Sequence, residues 1–469
     1  MPVHPLRSFF VLVSTAATCA IAVLCSAPRA AAQAACEALW PQIPAVSASG
    51  CPKSGTTLTV HANEYLELRQ SCDYRGVIIE VVGGNSWLNC NHTVLREDST
   101  TEDKKGIAID GHGERISNVR VSNCFIDGFE NGVRVNAPNH NRTALRQAYW
   151  DYEHDLRERY HVLTAMQDDA REHGASGVTI ENVHARNTRG TGLYISGHAQ
   201  NVTLDFVSVE HNGGPGVYID AESRFNRIFD SCFKNTGREG IAVDGSAGNT
   251  IELNYFEASA EGGIFVYKNA GEKNYRVGEE QPGGTHGPRT QHSMGNIIQD
   301  NTFYNEDKAV WIASRAPRNY ANSGLFWSDP VVYDKGGYEY RRDFAEGNIV
   351  RRNRFLDART DALVIEDDNS VIVDNYFELF PLARSGIYLG SRPRQWVDDP
   401  VYGTEIRGNR FVVEGAIVRP AVHEFCTLGS SMTRNFVGPL GGASTLYTFP
   451  AAPCPNRGVL HPSLIVAAF

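Results

Sequence analysis

Gly192-Leu-Tyr-Ile-Ser196, Gly216-Val-Tyr-Ile-Asp220, Gly240-Ile-Ala-Val-Asp244 and Gly263-Ile-Phe-Val-Tyr267 repeat one pattern at spacings of 24, 24 and 23 residues. Each is a glycine followed by apolar residues one and three places on, with variable residues at the second and fourth places. That alternation is a strand with one face buried and the other displayed. A fixed period near 24 residues with one strand-rich unit per period predicts a solenoid of stacked coils, a parallel β-helix rather than a helical array.

A second phrase follows these strands. Asn226-Arg-Ile-Phe-Asp-Ser-Cys-Phe233, Asn249-Thr-Ile-Glu-Leu-Asn-Tyr-Phe256, Asn296-Ile-Ile-Gln-Asp-Asn-Thr-Phe303 and Asn348-Ile-Val-Arg-Arg-Asn-Arg-Phe355 share Asn, Ile or Val, usually a second Asn, and Phe. Asn tolerates unusual turn angles and can hydrogen-bond its own turn, and the Phe returns inward. Repeated at one corner of every coil, such residues stack as an internal ladder. On these motifs the chain resembles the right-handed parallel β-helix superfamily, the architecture of pectate-lyase-like and polygalacturonase-like carbohydrate enzymes, over about residues 75 to 425. The resemblance implies fold strongly and chemistry weakly, because many activities share the architecture.

The reference strand recurs upstream as Gly106-Ile-Ala-Ile-Asp110 and Gly132-Val-Arg-Val-Asn136. Downstream it continues as Ala309-Val-Trp-Ile-Ala313, Ala362-Leu-Val-Ile-Glu366 and Gly386-Ile-Tyr-Leu-Gly390. The expected organisation is an export signal over 1–32, an amino-terminal cap over 33–75, an all-β solenoid over 76–425 and a carboxy-terminal cap or tail over 426–469. Arg7, the short apolar run Phe9 to Leu24 and the small residues Ala30 to Ala32 make the export signal. The apolar run is at the low end for a spanning helix and no other candidate follows it, so no membrane span is expected. The mature chain is expected to be secreted or periplasmic and monomeric.

Charged residues are 21% of the chain and the formal net charge is −10. A nucleic-acid partner would want a basic stripe, so that class is excluded. Of the ten cysteines, Cys19 and Cys25 lie in the signal and eight remain, an even number that favours disulfides in an exported protein. Cys124 and Cys232 sit four coils apart and cannot reach each other. Cys90 and Cys124 are one coil apart and can pair or merely stack; Cys36 with Cys51 and Cys426 with Cys454 are candidate end staples.

Insertions at 138–175, 269–295, 316–346 and 391–403 all leave the solenoid just past the reference strand, so they line up along one edge and can wall a groove. Ala144 to Glu172, rich in Arg, Glu, Leu and Ala without Gly or Pro, reads as one or two short helices. The other insertions carry aromatic residues, Trp327 and Trp396 among them. With Tyr194, Tyr218 and Trp311 of the reference strands and His292 within the second insertion, they are the candidate substrate contacts for a polysaccharide. Packing of the loops onto the solenoid is the competing role for any single ring.

Coil by coil, the fourth-place residues and their successors run Asp110, Asn136, Ser196, Asp220, Asp244, Tyr267 with Lys268, Ser314 with Arg315, and Glu366 to Asp368. Equivalent side chains on neighbouring coils lie roughly 5 Å apart, so these groups are expected to form one outward charged stripe. A surface salt-bridge ladder would explain it, and such pairs contribute little. Against that, Asp220 stacked on Asp244 is unfavourable without a cation or a shared proton.

Similar β-helix lyases use a Lys or a Tyr/His base with an Arg, often with calcium held by acidic side chains of neighbouring coils. The resemblance therefore implies a lyase or C5-epimerase acting on a uronic-acid polymer. In it Lys268 is the base, Arg315 neutralises the carboxylate, Tyr267 is the acid or an orienting donor, and Asp220, Asp244, Glu366 and Asp367 are candidate calcium ligands. Two alternatives stay open. Asp220 with Asp244 would serve a glycoside hydrolase, and the same groove would serve a carbohydrate-binding solenoid without catalysis.

Overall fold

The computed structural model describes residues 36–37, 40–44, 48–98, 105–112, 114–135, 171–220, 222–268, 291–313, 331–335, 338–341, 345–379, 383–390, 400–413, 421–439 and 448–452. The expected export signal, Trp327, Trp396, Arg315, Asn136 and Cys454 lie outside them, as does most of each expected insertion. Short strands repeat around a single axis and every neighbour within the solenoid is parallel. The first sheet has 13 strands running from Thr57–Val60 to Thr448–Ala452, and it contains all four of the glycine-led strands quoted above.

Two further strand columns complete each coil. Thr203–Asp205, Arg227–Phe229, Thr250–Glu252 and Ile297–Gln299 belong to the second; Ser208–Glu210, Cys232–Lys234, Tyr255–Glu257 and Thr302–Tyr304 belong to the third. Ser117–Asp127 and Ser176–Arg186 are long enough to serve both columns. Strand alternation sends Val217, Ile219, Ile241, Val243, Ile264 and Val266 to the interior, where all are fully buried.

The internal ladder is present, and it is double. Asn226, Asn249, Asn296 and Asn348 pass side-chain hydrogen bonds from coil to coil at 2.9–3.0 Å. Asn254, Asn301, Asn353, Asn375, Asn409 and Asn435 do the same at 3.0–3.1 Å at the next corner. Each amide oxygen also takes a backbone N–H of the preceding coil, as Asn301 takes that of Asn254 at 3.0 Å. The turn angle is handled elsewhere: Leu253, Asp300, Arg352 and Asp374, each one residue before an Asn of the second ladder, take positive φ of 54–59°. The ladder Asn residues are therefore kept for their inward amides and not for left-handed backbone. Beside them Phe233, Phe256, Phe303, Phe355, Phe377 and Phe411 stack at centroid spacings of 4.5–5.2 Å.

The ends differ from expectation. Coil pairing begins at Thr57, not at residue 76, because Thr57–Val60 already pairs with Ile78–Val81. At the other end Ser431–Thr433, Phe436–Pro439 and Thr448–Ala452 extend the three columns beyond residue 426. Cys36 is bonded to Cys232 and Cys51 to Cys72, so the expected Cys36–Cys51 staple is replaced. The reason is the path of the first residues, which run outside the third column. Trp40 packs edge-on to Phe125 at 5.0 Å, lies under Arg186 at 3.8 Å and donates to Glu210, which delivers Cys36 to the coil of Cys232. Cys90 and Cys124 do pair, and Cys426 is also in a disulfide. Of the inserted segments, Val331–Lys335 and Tyr338–Arg341 form an antiparallel hairpin.

Candidate functional site

The outer face of the first sheet carries the candidate groups. Its register aligns Arg134, Tyr194, Tyr218, Ala242, Phe265, Trp311, Val364, Tyr388 and His423 in one row across successive strands. Tyr194 and Tyr218 stack at 5.2 Å, Arg134 lies over the Tyr194 ring at 4.9 Å, and Phe265 meets Trp311 edge-on at 4.9 Å. Two residues further along each strand run Ser196, Asp220, Asp244, Tyr267, Ala313 and Glu366.

Two corrections follow. Ile312 pairs with Val266 and the Ala313 N–H bonds the Val266 carbonyl, so Ala313 is the counterpart of Tyr267 and the stripe is broken there. The acidic residues are also buried rather than displayed: Asp220 and Asp244 are fully inaccessible and Lys268 is 1% exposed. Burial of charge is costly unless each group is partnered, and the partners reveal a rule that sequence reading missed. Tyr194 donates to Asp220 at 2.6 Å, Tyr218 donates to Asp244, and Trp311 donates through Nε1 to Glu366 at 3.0 Å. In all three an aromatic donor reaches a carboxylate on the next coil, two residues further along its strand.

Asp220 and Asp244 follow the paired residues Ile219 and Val243, so they are neighbours on consecutive coils, as expected. Asp244 is the backbone partner of Tyr267, which is 1% exposed, and Lys268 follows directly. The site thus collects two carboxylates, a phenol and an amine at the ends of three adjoining strands. Tyr388, in the row beyond Glu366, has its hydroxyl pushed up to about 12 by burial and by Glu366 and Asp361, which keeps it a hydrogen-bond donor.

Asp367 and Asp368 have backbone duties. Asp367 accepts the N–H groups of Ala345 and Asp368, one on each oxygen, and Asp368 accepts that of Tyr402. Among the described residues no three His, Cys, Asp or Glu side chains form a group able to hold a metal ion. Of the expected calcium ligands, Asp220 and Asp244 lie on consecutive coils, whereas Glu366 and Asp367 stand three strands beyond Asp244.

Sequence reading also missed Glu222, which is 1% exposed at a φ of 61°. It lies within 3.7 Å of His198, pairs with Arg171 and Arg224, and accepts the Gln291 N–H. Its signal was present as an acid two places after Asp220. His292 is half-buried beside it, its carbonyl taken by the Gln291 amide and the Met294 N–H. Glu222, two residues after Asp220, thus ties Arg171 to Gln291.

A family model described as "Right handed beta helix region" matches residues 156–279. No curated protein matches the chain. Among solved structures, the A-module of mannuronan C-5 epimerase AlgE6 from Azotobacter vinelandii is 14% identical with a TM-score of 0.51, covering 86% of this chain and 92% of that one. The A-module of AlgE4 from the same organism is 13% identical with a TM-score of 0.50, covering 85% and 91%. An endo-xylogalacturonan hydrolase from Aspergillus tubingensis is 11% identical with a TM-score of 0.38, covering 86% and 91%. For the two epimerase modules, likeness at these identities is likeness of fold.

Proposed function

We propose that this chain, a member of the right-handed parallel β-helix superfamily, is an exported polysaccharide-active enzyme that removes the C5 proton of a uronic-acid residue, as a lyase or a C5-epimerase. The observation that carries the reading is the burial of Lys268, at 1% exposure, directly after Tyr267, whose strand partner is Asp244. A salt-bridge ladder on an exposed face does not require such burial, whereas proton transfer at carbon does require desolvated, fixed groups.

In this reading Lys268 takes the C5 proton and the electron pair of the C–H bond moves into an enolate of the sugar carboxylate. Arg315, which follows two residues after Ala313, is the cation proposed for that carboxylate. In the lyase the C4–O bond then breaks, its electron pair leaves with the glycosidic oxygen, and Tyr267 supplies the proton to that oxygen. In the epimerase Tyr267 instead returns a proton to C5 from the opposite face. Asp220 and Asp244, each accepting from a phenol of the preceding coil, fix those rings at the edge of the reacting groups. No step is assigned to a metal. The three disulfides of defined pairing agree with an oxidising compartment, and among the described residues no helix is long and apolar enough to cross a membrane.

One observation favours a second reading. Asp220 and Asp244 on consecutive coils are separated by about one strand spacing, roughly 4.8 Å, close to the carboxyl separation of a retaining glycoside hydrolase. Incubation with a panel of acidic and neutral polysaccharides separates the two. The proposal expects a C4–C5 unsaturated product with new ultraviolet absorbance, or an inverted C5 centre by NMR, both lost in Lys268→Ala. New reducing ends with neither change, sensitive to Asp220→Asn or Asp244→Asn, would replace it with hydrolysis.

A further inference from the structure

Next to the proposed reaction centre, on the same face of the first sheet, lies a hollow of 490 Å³, a size typical of small-ligand sites. Its floor is the paired row Phe265, Trp311 and Val364. The Trp311 ring is 6.3 Å from that of Tyr267, so the hollow is the next place along the groove. The indole is fixed from two sides, by the edge of Phe265 at 4.9 Å and by its hydrogen bond to Glu366 at 3.0 Å. An apolar, immobilised ring floor suits the apolar face of a sugar.

The rim decides which sugar. Glu261, Asp307, Lys308 and Glu366 line it. Lys308, the one cation of the described lining, is held by Asp307 at 3.0 Å, and Glu261 is held by Arg238 at 3.2 Å. The described rim therefore offers carboxylate oxygens, which accept from sugar hydroxyls, and its lysine is already neutralised. Glu261, Asp307 and Glu366 outnumber Lys308 and Arg238, so a second uronate here would add charge of the sign already in excess, an unfavourable placement.

We infer that this hollow is a subsite for an uncharged hexose. Resting on the proposed uronate chemistry, this makes the substrate a heteropolysaccharide in which a neutral sugar adjoins the reacting uronate, rather than a polyuronate.

Calorimetric titration of the full chain tests the inference without turnover. The probes are neutral tetrasaccharides of glucose, mannose and galactose, and a tetramer of galacturonate. At least one neutral probe is expected to bind ten or more times tighter than the uronate tetramer. That binding should weaken at least tenfold in Trp311→Ala and in the double variant Glu261→Gln with Asp307→Asn, whose rim positions do not threaten folding. Equal or tighter binding of the uronate tetramer, absence of binding by every neutral probe, or insensitivity to the rim variant would overturn it. Because binding is read directly, failure of proton abstraction at Lys268 leaves this result standing, and efficient turnover of a polyuronate would sink the inference while leaving the reaction intact.

Discussion

Tyr218 donates its phenolic hydrogen to the carboxylate of Asp244 on the following coil, and both side chains are buried. Tyr218→Phe keeps the ring that stacks on Tyr194 at 5.2 Å and removes only the hydroxyl. A hydrogen bond to a buried charged group contributes about 1.5–3 kcal/mol, so activity should fall roughly tenfold or more while the fold survives. Steady-state kinetics with a parallel thermal melt checks this. Unchanged kcat/KM would remove Asp244 from the working site.

His184 gives the protein an acid-sensitive step. Its ring is buried against Phe125 at 4.7 Å with Ser208 on Nδ1 and Asn182 on Nε2, and burial, with His92 nearby, lowers its pKa from 6.5 to about 4. The folded state resists the proton that the unfolded chain takes up, so stability is full above the unfolded value and declines as pH falls from about 6.5 towards 4. The loss is about 3 kcal/mol from one such group. Denaturant melts at pH 7 and pH 4 should differ by that much more in the wild type than in His184→Asn; equal slopes would contradict the assignment.

Glu306 works in the opposite direction. It is 1% exposed, accepts the N–H and hydroxyl of Ser259, and burial pushes its pKa up to about 8 despite Arg359. Here the folded state keeps a proton that the unfolded chain loses, so stability is full below about pH 4.5 and falls as pH rises through 8. Glu306→Gln keeps an acceptor without the charge, and it should stabilise by on the order of 4 kcal/mol at pH 8 but only about 1 kcal/mol at pH 5. A gain that does not depend on pH would count against a buried, protonated Glu306.

The Cys36–Cys232 bridge spans 196 residues of sequence and fastens the first described residues to the outside of the third column. Replacing both cysteines by serine should cost about 2–4 kcal/mol and expose the segment around Trp40 to proteolysis first. A melt and a limited digest, each compared with the wild type, report on it. An unchanged digestion pattern would mean that Trp40 alone holds the segment.

The architecture was legible because a solenoid writes itself into the sequence once per coil. Glycine-led strands, Asn226 to Asn348 and Phe233 to Phe355 all fell into register as expected. What failed to show is whatever depends on lengths between repeats or on departures from them. The offset at Ala313 follows from the pairing of Ile312 with Val266, which the similar strings Tyr267-Lys268 and Ser314-Arg315 disguised. The early start at Thr57 was not read although Gly55 precedes it as Gly76 precedes Ile78, because polar Thr57 and Thr59 weaken the strand pattern, and the Cys36–Cys232 pairing because the path of Trp40 has no counterpart in the repeat. The aromatic-to-carboxylate diagonal needed side-chain reach as well as register, so Tyr194 and Tyr218 were read as sugar platforms and their hydroxyls overlooked.

The most direct test of the central claim follows the C5 hydrogen of the uronate during reaction in D2O. The account predicts that protium leaves C5, either replaced by deuterium or lost with formation of the C4–C5 double bond, and that Lys268→Ala slows this loss by at least about a hundredfold. Chain cleavage with the C5 protium fully retained would contradict it.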